Sequence, residues 1–409
     1  MEVLQKKFRT YPIGKSKKFG IVLVEYNGFY YEVAQFRTEG AYDGRRPSKV
    51  EMTWSLREDV IRRDFTINAL AMTTEGEIID YVGGMADIER KCIRAVGNPR
   101  DRFIDDHLRL VRAARFGSAD GFYIEKETRK AARKLYKLVN KIVPERIRAE
   151  LIKAAEGSGP EFAKFIRILD ELKLLGQILP EVHQLKYFKH NMQHHPEGLY
   201  VFDHVIECLK LTNGFDPISK IAVLFHDVGK GISLIEINGL PKYHYHAHEG
   251  AKLVEQICNR LKFSTYAKDI LVYTARNHMK FHHILEMKPS KIARMVNSGN
   301  FDTLVNVGFA DNFSRGDAFI HRDKFDMQVT KARQIQKRWE ERVTDKRIKI
   351  VDGKRIMELL DIKPSEFVGE IKKLVEERII DQELDPNKQD IIDTVIKEVY
   401  KDIEKSSRG

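Results

Sequence analysis

Four groups of residues in this chain have the types and spacings of working chemistry. The first is Arg62-Arg63-Asp64-Phe65-Thr66-Ile67-Asn68, which sets two guanidinium groups, a carboxylate and an amide just ahead of the apolar run Ala69 to Met72. Paired arginines suit phosphate oxygens, because each guanidinium offers a fixed fork of donors. Asp64 and Asn68 stand four apart, on one face of an expected helix, where they could take ribose hydroxyls or fix the arginines. Spacing alone fits an ordinary charged helix start equally well. The second group is Asp106 and Arg109, three apart, with Arg112 a further turn along. A carboxylate beside a guanidinium sets an acceptor next to donors. The cytosine and adenine edges offer an amino donor beside a ring-nitrogen acceptor, and uracil and guanine present the reverse. One such pair could accept CTP and ATP and reject UTP and GTP without a template. A plain surface ion pair satisfies the same spacing.

The third group is basic. Lys126, Arg129, Lys130, Arg133, Lys134 and Lys137 recur at three- and four-residue steps and form a stripe along one side of a helix. A stripe of this kind suits the phosphate backbone of a folded RNA, or is simply a solvated face. The fourth group is His204, the adjacent pair His226-Asp227, His248, His278 and Asp311. Imidazole and carboxylate together suit a divalent metal that activates water, and an adjacent His-Asp at a helix end can serve one or two ions.

These groups need elements to position them. Residues 19–26 and 29–36 are two β-rich runs around Asn27-Gly28, the turn pair of a two-residue hairpin. Gly40 to Ser48 reads as a loop, about 55–72 as a helix, and Ile78 to Val82 before Gly83-Gly84 as a short strand. Apolar spacing predicts helices near 107–117, 126–139, 145–156 and 160–174. Pro196 and Gly198 mark a boundary before a second helical region, about 200–335. A charged linker, Arg338 to Lys349, leads into a last helical piece, roughly 352–405. The 409 residues suffice for several domains, and 42% hydrophobic with 32% charged residues describes a globular chain. A formal net charge of +11 makes an anionic partner plausible. Cys92, Cys208 and Cys258 lie far apart without any Cys-x-x-Cys, which argues against a disulfide framework. With no signal-peptide pattern and no membrane-length apolar run, the expectation is a cytoplasmic protein with no membrane partner.

The first block resembles the Arg-Arg-Asp-Phe-Thr-x-Asn-Ala motif of class II CCA-adding tRNA nucleotidyltransferases and the related bacterial poly(A) polymerases. Asp105-Asp106-His107-Leu108-Arg109 resembles that family's Glu-Asp-x-x-Arg motif, with the first acid shortened from Glu to Asp. Leu359-Leu360-Asp361-Ile362-Lys363-Pro364, followed by Val368-Gly369-Glu370-Ile371, resembles the family's C-terminal segment. The resemblance implies an α+β fold class with four segments. They are a nucleotidyltransferase (DNA polymerase β-like) head at 1–105, a helical nucleotide- and RNA-binding neck at 106–195, an HD domain at 196–335 and a helical tail at 336–409. It also implies that Arg62, Arg63, Asp64, Asn68, Asp106, Arg109 and Arg112 hold CTP or ATP. The basic stripe would then lie along the tRNA acceptor arm, and Mg2+ would serve nucleotidyl transfer.

Leu224-Phe225-His226-Asp227-Val228-Gly229-Lys230 resembles the signature of HD-superfamily phosphohydrolases. His204 matches the upstream ligand, Asp311 the distal one, and His248-Glu249-Gly250 resembles the superfamily's His-Glu-x-Gly step. His194, His195, His244, His246, His282 and His283 match no ligand position. The resemblance implies metal-dependent hydrolysis of RNA-terminal or cyclic phosphates, with Asp227 central and Mg, Mn, Ni or Co as the ion.

Family members open with Gly-Gly-x-Val-Arg-Asp and then Asp-x-Asp, whose aspartates hold the transfer metals. Neither motif occurs in this chain, whose first aspartate is Asp43. Met1 to Phe8 resembles the segment that follows them. Glu32 matches a Glu in the family's Glu-Val-x-x-Phe-Arg stretch and is expected to be an auxiliary catalytic carboxylate. The expectation is a family member truncated at the front of its head, which does not transfer nucleotides alone. The missing motif would lie upstream, be supplied by a separate chain, or have been lost, in that order. The head sheet should then have an open edge at the 19–36 hairpin, with Ile21, Leu23 or Phe36 exposed. Two rivals are a hydrolase whose head only docks RNA, and a non-enzymatic RNA-binding protein.

Overall fold

A computed structural model describes residues 2–11, 20–40, 50–190, 199–237, 240–315, 322–342, 351–382 and 384–407. The chain forms two compact units. One comprises Met1–Tyr187, Thr212–Pro217 and Gln256–Ser264; the other comprises Phe188–Leu211, Ile218–Glu255 and Thr265–Gly409. The first unit takes the expected head and the neck up to Tyr187, together with 212–217 and 256–264 of the HD segment; the rest of the HD segment and the tail lie in the second. Residues 41–48 of the expected loop, the boundary at Pro196 and Gly198, residues 343–349 of the expected linker, and His194 and His195 lie outside the described residues.

In the first unit, β1 (Arg9–Tyr11), β2 (Ile21–Tyr26) and β3 (Phe29–Ala34) form an antiparallel sheet in the order β1-β2-β3. The expected hairpin is present in register, with Tyr26 opposite Phe29. Its turn residues Asn27 and Gly28 take φ of 51° and 77°, the left-handed pair that a two-residue loop requires. Along β2 the alternation buries Val22 and Val24. Among the described residues β3 is an open edge. Its exposed apolar side chains are Phe29, Tyr30 and Tyr31, with Phe36 just beyond, whereas Ile21 and Leu23 are partly covered.

The helix expected over 55–72 is broken. A short helix, Leu56–Ile61, ends at Arg62; Phe65 is extended (φ −126°, ψ 151°), Thr66–Asn68 is a single 3-10 turn, and Leu70–Met72 is a strand. Residues 94–96 capture this backbone: Thr66 N–H donates to Arg94 O at 2.9 Å and Val96 N–H to Asp64 O at 3.1 Å. The same detour drives the Phe65 ring into the core, edge-on to Phe116, a burial worth about 2 kcal/mol or more. The helix expected from 107 is also interrupted. Pro99–Asp105 and Arg109–Ser118 are separate helices, and Asp106 between them is extended (φ −132°, ψ 107°), accepting a hydrogen bond from Leu108 N–H. Asp106 and Arg109 therefore do not share a helix face. Helices at Lys126–Lys134, Pro144–Ala155 and Gly159–Glu171 follow, the last opened by a capping box from Ser158 and Glu161.

The second unit is mostly helical. Val201–Lys210, His246–Arg260, Thr265–Phe281 and Phe301–Phe313 carry functional side chains, and His226 and Asp227 follow directly on the helix Pro217–Phe225. A hairpin, Leu234–Ile237 with Leu240–Tyr243, interrupts a stretch expected to be helical throughout. Phe281, Ile284, Ile292, Leu304 and Phe325 centre one apolar core. The helix Arg322–Arg342 runs past the expected linker start at Arg338. The tail helices Gly353–Leu360, Glu366–Asp381 and Gln389–Ser407 close around Ile356, Ile371, Val375 and Ile396. No helix among the described residues is long and apolar enough to cross a membrane.

Candidate functional site

The first unit holds an open cleft of ≈ 470 Å³ lined by Glu32, Arg62, Arg63, Asp64, Asn68, Asp106, Arg109 and Arg112, all eight anticipated from sequence. Arg37, Asp59 and Arg146 also line it, so six arginines face four carboxylates and the cleft is net cationic. Asp59, buried beneath the arginines, orders them. Its carboxylate accepts from Arg62 at 2.5 Å, from Arg63 at 3.2 Å and from the Arg37 backbone N–H at 3.2 Å. Burial pushes its pKa up, but these donors outweigh burial and hold the carboxyl below its usual range. Asp64 fixes rather than reaches out. One oxygen accepts from Phe65 N–H at 2.9 Å and from the Asn68 amide at 3.4 Å, and the other takes Arg112 at 2.6 Å.

Asp106 and Arg109 are held separately. Arg146 clasps both Asp106 oxygens, at 3.2 and 2.9 Å. Arg109, mostly buried, donates to the backbone carbonyls of Arg102 at 3.1 Å and Arg62 at 2.8 Å. Burial lowers the Arg109 pKa from its ordinary value. The pair is thus positioned by third parties: Asp106 Oδ1 is taken by Leu108 N–H and Arg146, while Oδ2, bonded to Arg146 alone, keeps a second lone pair for a ligand. Of the cleft carboxylates only Glu32 is exposed. Both triads of metal-ligating side chains gathered among the described residues lie in the second unit. The donor set of the cleft therefore fits an anion and a base edge, and does not fit a two-ion catalytic centre. The six stripe residues, Lys126, Arg129, Lys130, Arg133, Lys134 and Lys137, are all exposed, with Lys130 3.5 Å from Glu127.

In the second unit, His204, His226, Asp227, His278 and Asp311 converge in a buried cluster. Asp227 faces two ways. Its Oδ2 lies 3.3 Å from His226 Nε2 and 3.8 Å from His204 Nε2, while its Oδ1 lies 3.5 Å from His246 Nε2 and 3.7 Å from His278 Nε2. Asp311 Oδ1 is 3.3 Å from His204 Nε2. Lys230 Nζ donates to Asp227 Oδ2 at 2.6 Å, and Arg315 to Asp311 Oδ1 at 2.8 Å.

Three histidines depart from expectation. His248 is exposed, and His246 takes the place expected for it. A two-residue step rotates a helix by about 200°, so these imidazoles point opposite ways. The backbone decides which one enters. A Cβ on Gly229 would lie 2.0 Å from His246 O and 2.5 Å from Gly250 N, so only glycine lets the start of helix His246–Arg260 rest against 226–230. Gly250, four residues after His246 and therefore on its face, was the signal in the sequence. His282, also left out, binds Asp311 Oδ2 at 2.8 Å.

The imidazoles share a design. The Nδ1 atoms of His226, His246 and His278 meet the carbonyls of Val223, Tyr243 and Ala275 at 2.7, 2.8 and 2.8 Å. Each Nδ1 therefore carries the proton, and each Nε2 lone pair points inward, as metal-binding histidines require. His226 Nε2 is buried with no hydrogen-bond partner, and His246 and His278 bring two Nε2 atoms within 3.2 Å of each other. Two lone pairs at that distance repel unless a cation answers them. Burial lowers the His246 pKa to about 4 and lowers that of His278, so both stay neutral at physiological pH. For Asp227, burial raises the pKa, but its neighbours, the Lys230 ammonium at 2.6 Å among them, outweigh burial and the carboxyl stays ionised. Orphaned lone pairs around shared carboxylates fit a divalent metal.

Comparisons with known proteins match three segments of the chain. The poly A polymerase head domain family matches residues 1–94, the family described as "Probable RNA and SrmB- binding site of polymerase A" matches 121–186, and the HD domain family matches 201–300. The Multifunctional CCA protein of Legionella pneumophila (strain Philadelphia 1) is 34% identical over 252 residues, covering 59% of each chain. The CCA-adding enzyme of Bacillus velezensis is 48% identical over 156 residues, 38% of this chain and 39% of that one. The chain thus spans 59% or less of the length of these relatives. The crystal structure of Bacillus stearothermophilus CCA-adding enzyme in complex with CTP superposes with a TM-score of 0.65 at 23% identity, over 97% of this chain and 85% of that one, a likeness of fold.

Proposed function

We propose that this chain, a homologue of CCA-adding enzymes with poly A polymerase head, RNA-binding and HD domains, binds CTP and ATP in the cleft of its first unit and hydrolyses phosphoesters at RNA ends in its second. The observation that carries the nucleotide reading is the convergence of Arg62, Arg63, Asp106, Arg109 and Arg112 on one cleft. Arg62, Arg63 and Arg112, ordered by Asp59 and Asp64, take the triphosphate. Asp106 accepts from the amino group of cytosine or adenine, and Arg109 donates to the ring nitrogen beside it. The exposed stripe from Lys126 to Lys137 holds the phosphates of a tRNA acceptor arm, and Glu32 stands at the cleft as an auxiliary carboxylate.

In the second unit, His204, His226, Asp227 and Asp311 would hold one divalent ion, and Asp227, His246 and His278 a second. Bound there, a metal polarises the phosphoryl group and lowers the pKa of water. Asp227 spans the two subsites through its two oxygens. The neutral Nε2 atoms are kept in the binding tautomer by their carbonyl partners, and Lys230 offers an ammonium to the substrate phosphate. Water adds to phosphorus, the ester P–O bond breaks, and the leaving oxygen takes up a proton. A 2′,3′-cyclic phosphate would open to a monoester by this route.

Calorimetric titration of the chain with CTP, ATP, UTP and GTP tests the first part. CTP and ATP should bind at least about tenfold more tightly, and Asp106→Asn, which exchanges an acceptor oxygen for a donor, should erase the preference. Equal binding of all four overturns the reading. Hydrolysis of 2′,3′-cyclic AMP with Mg, Mn, Ni and Co in turn tests the second part, and no metal-dependent turnover would overturn it.

A further inference from the structure

We propose that Cys208 is a metal ligand, the sulfur corner of a His204–Cys208–His226 subsite that gives the cluster a preference for borderline-soft divalent ions. The inference rests on the reading of the cluster as a metal site and goes beyond it to the chemistry of the ion. Cys208 sits one helical turn after His204 on the same face of Val201–Lys210, and both side chains are fully buried. The ligand atoms of His204, Cys208 and His226 lie within 4.8 Å of one another. The sulfur is nearer the inward-facing nitrogen of His204 than the outer one, 3.5 Å from Nε2 against 3.8 Å from Nδ1.

Those separations match a shared ion. With metal–sulfur and metal–nitrogen bonds of about 2.3 and 2.05 Å, tetrahedral geometry puts sulfur and nitrogen about 3.6 Å apart. The same geometry puts a nitrogen and a carboxylate oxygen about 3.4 Å apart, and His204 Nε2 lies 3.3 Å from Asp311 Oδ1. A second, independent observation points to the same spot: His226 Nε2, 1% exposed, has no hydrogen-bond partner.

Ser314 completes the arrangement. Its hydroxyl donates to Asp311 O at 3.1 Å and stands 3.3 Å from both Cys208 Sγ and His204 Nδ1. It can thus accept from the thiol and from the outer imidazole nitrogen, which leaves His204 Nε2 free of a proton. On ligation the S–H bond breaks, its proton goes to solvent, and the thiolate electron pair forms the metal–sulfur bond. Thiolate ligation favours Zn2+, Co2+ or Fe2+ over Mg2+ and Mn2+.

The test is absorption spectroscopy of the full chain, stripped by chelation and titrated with Co2+. Wild type should show an intense thiolate-to-cobalt charge-transfer band in the near ultraviolet, absent from Cys208→Ser at equal cobalt content. The preference for Zn2+ over Mn2+, from competition dialysis, should fall about tenfold or more in Cys208→Ser. Cobalt bound by wild type without the charge-transfer band overturns the assignment and leaves the metal reading standing. Failure of wild type to bind cobalt overturns both. Because the wild-type spectrum decides, the proposal does not depend on the variant folding.

Discussion

The cleft of the first unit and the cluster of the second are both dense in charge, yet they are built in opposite ways. In the cleft the side chains are long and partly wet: Arg63, Arg112 and Arg62 are 43%, 27% and 22% exposed. In the cluster they are short and dry, with His204 at 0% and both His226 and His278 at 1%. Long guanidinium groups tethered to buried carboxylates can swing around a large anion that arrives and leaves, and their charge is indifferent to pH. Short imidazoles pinned through their outer nitrogens cannot swing, so they suit a small resident ion whose distances vary by tenths of an ångström. Both units hold charge, but the first orders mobile donors and the second orders fixed lone pairs.

The sharpest way to break this contrast is Asp227→Ala. One substitution removes an oxygen from each subsite, so metal affinity should fall by about a hundredfold or more. Metal-dependent hydrolysis should vanish, while calorimetric binding of CTP in the first unit stays unchanged. Persistent metal in the variant, measured by elemental analysis, would deny Asp227 its bridging place.

Acid should separate the units next. His246 titrates at about 4 in the folded chain against 6.5 unfolded. As pH falls, the unfolded chain takes up its proton first. The metal-free second unit therefore has its full stability above pH 6.5 and loses it between 6.5 and 4, with a ceiling on the order of 3 kcal/mol. Urea melts across that window should show this slope, and His246→Gln should flatten it. The cleft arginines add no such dependence.

A smaller effect is expected in the cleft itself. Arg112→Ala removes one phosphate donor and should weaken CTP and ATP about tenfold, with the metal content of the second unit unaltered. Smallest of all, Lys134→Gln on the stripe should lower RNA affinity by about twofold to threefold at moderate salt and reduce the slope of log affinity against log salt by about one. An unchanged slope would mark the stripe as a solvated face.

The same contrast explains what the sequence revealed. The cleft residues could be named because they sit in compact blocks, 62–68 and 106–112, where local order survives folding. Their conformation could not. Phe65 leaves the helix because residues 94–96 pair with its backbone, and Asp106 breaks the next one; both are tertiary effects that override apolar spacing. Arg37 and Arg146 carried no local signal, since their roles are set by contacts across 22 and 40 residues, whereas Asp59, three and four residues before Arg62 and Arg63, stood within local reach of the block it orders. In the cluster, the His-Asp pair announced itself, but the choice between His246 and His248 turned on helix phase, which a two-residue spacing inverts. The hairpin 234–243 was missed because its strands are only four residues each.

The glycine contact beneath His246 has a consequence for mutational mapping. Position 229 owns no functional group, yet a single methyl there would collide with His246 O and the Gly250 backbone. The start of the helix would have to back away, taking an imidazole with it, while every ligand kept its identity. A saturation screen scored on metal content would therefore rank Gly229 beside the histidines, and a reader of that screen alone would credit it with coordination. What it supplies is room.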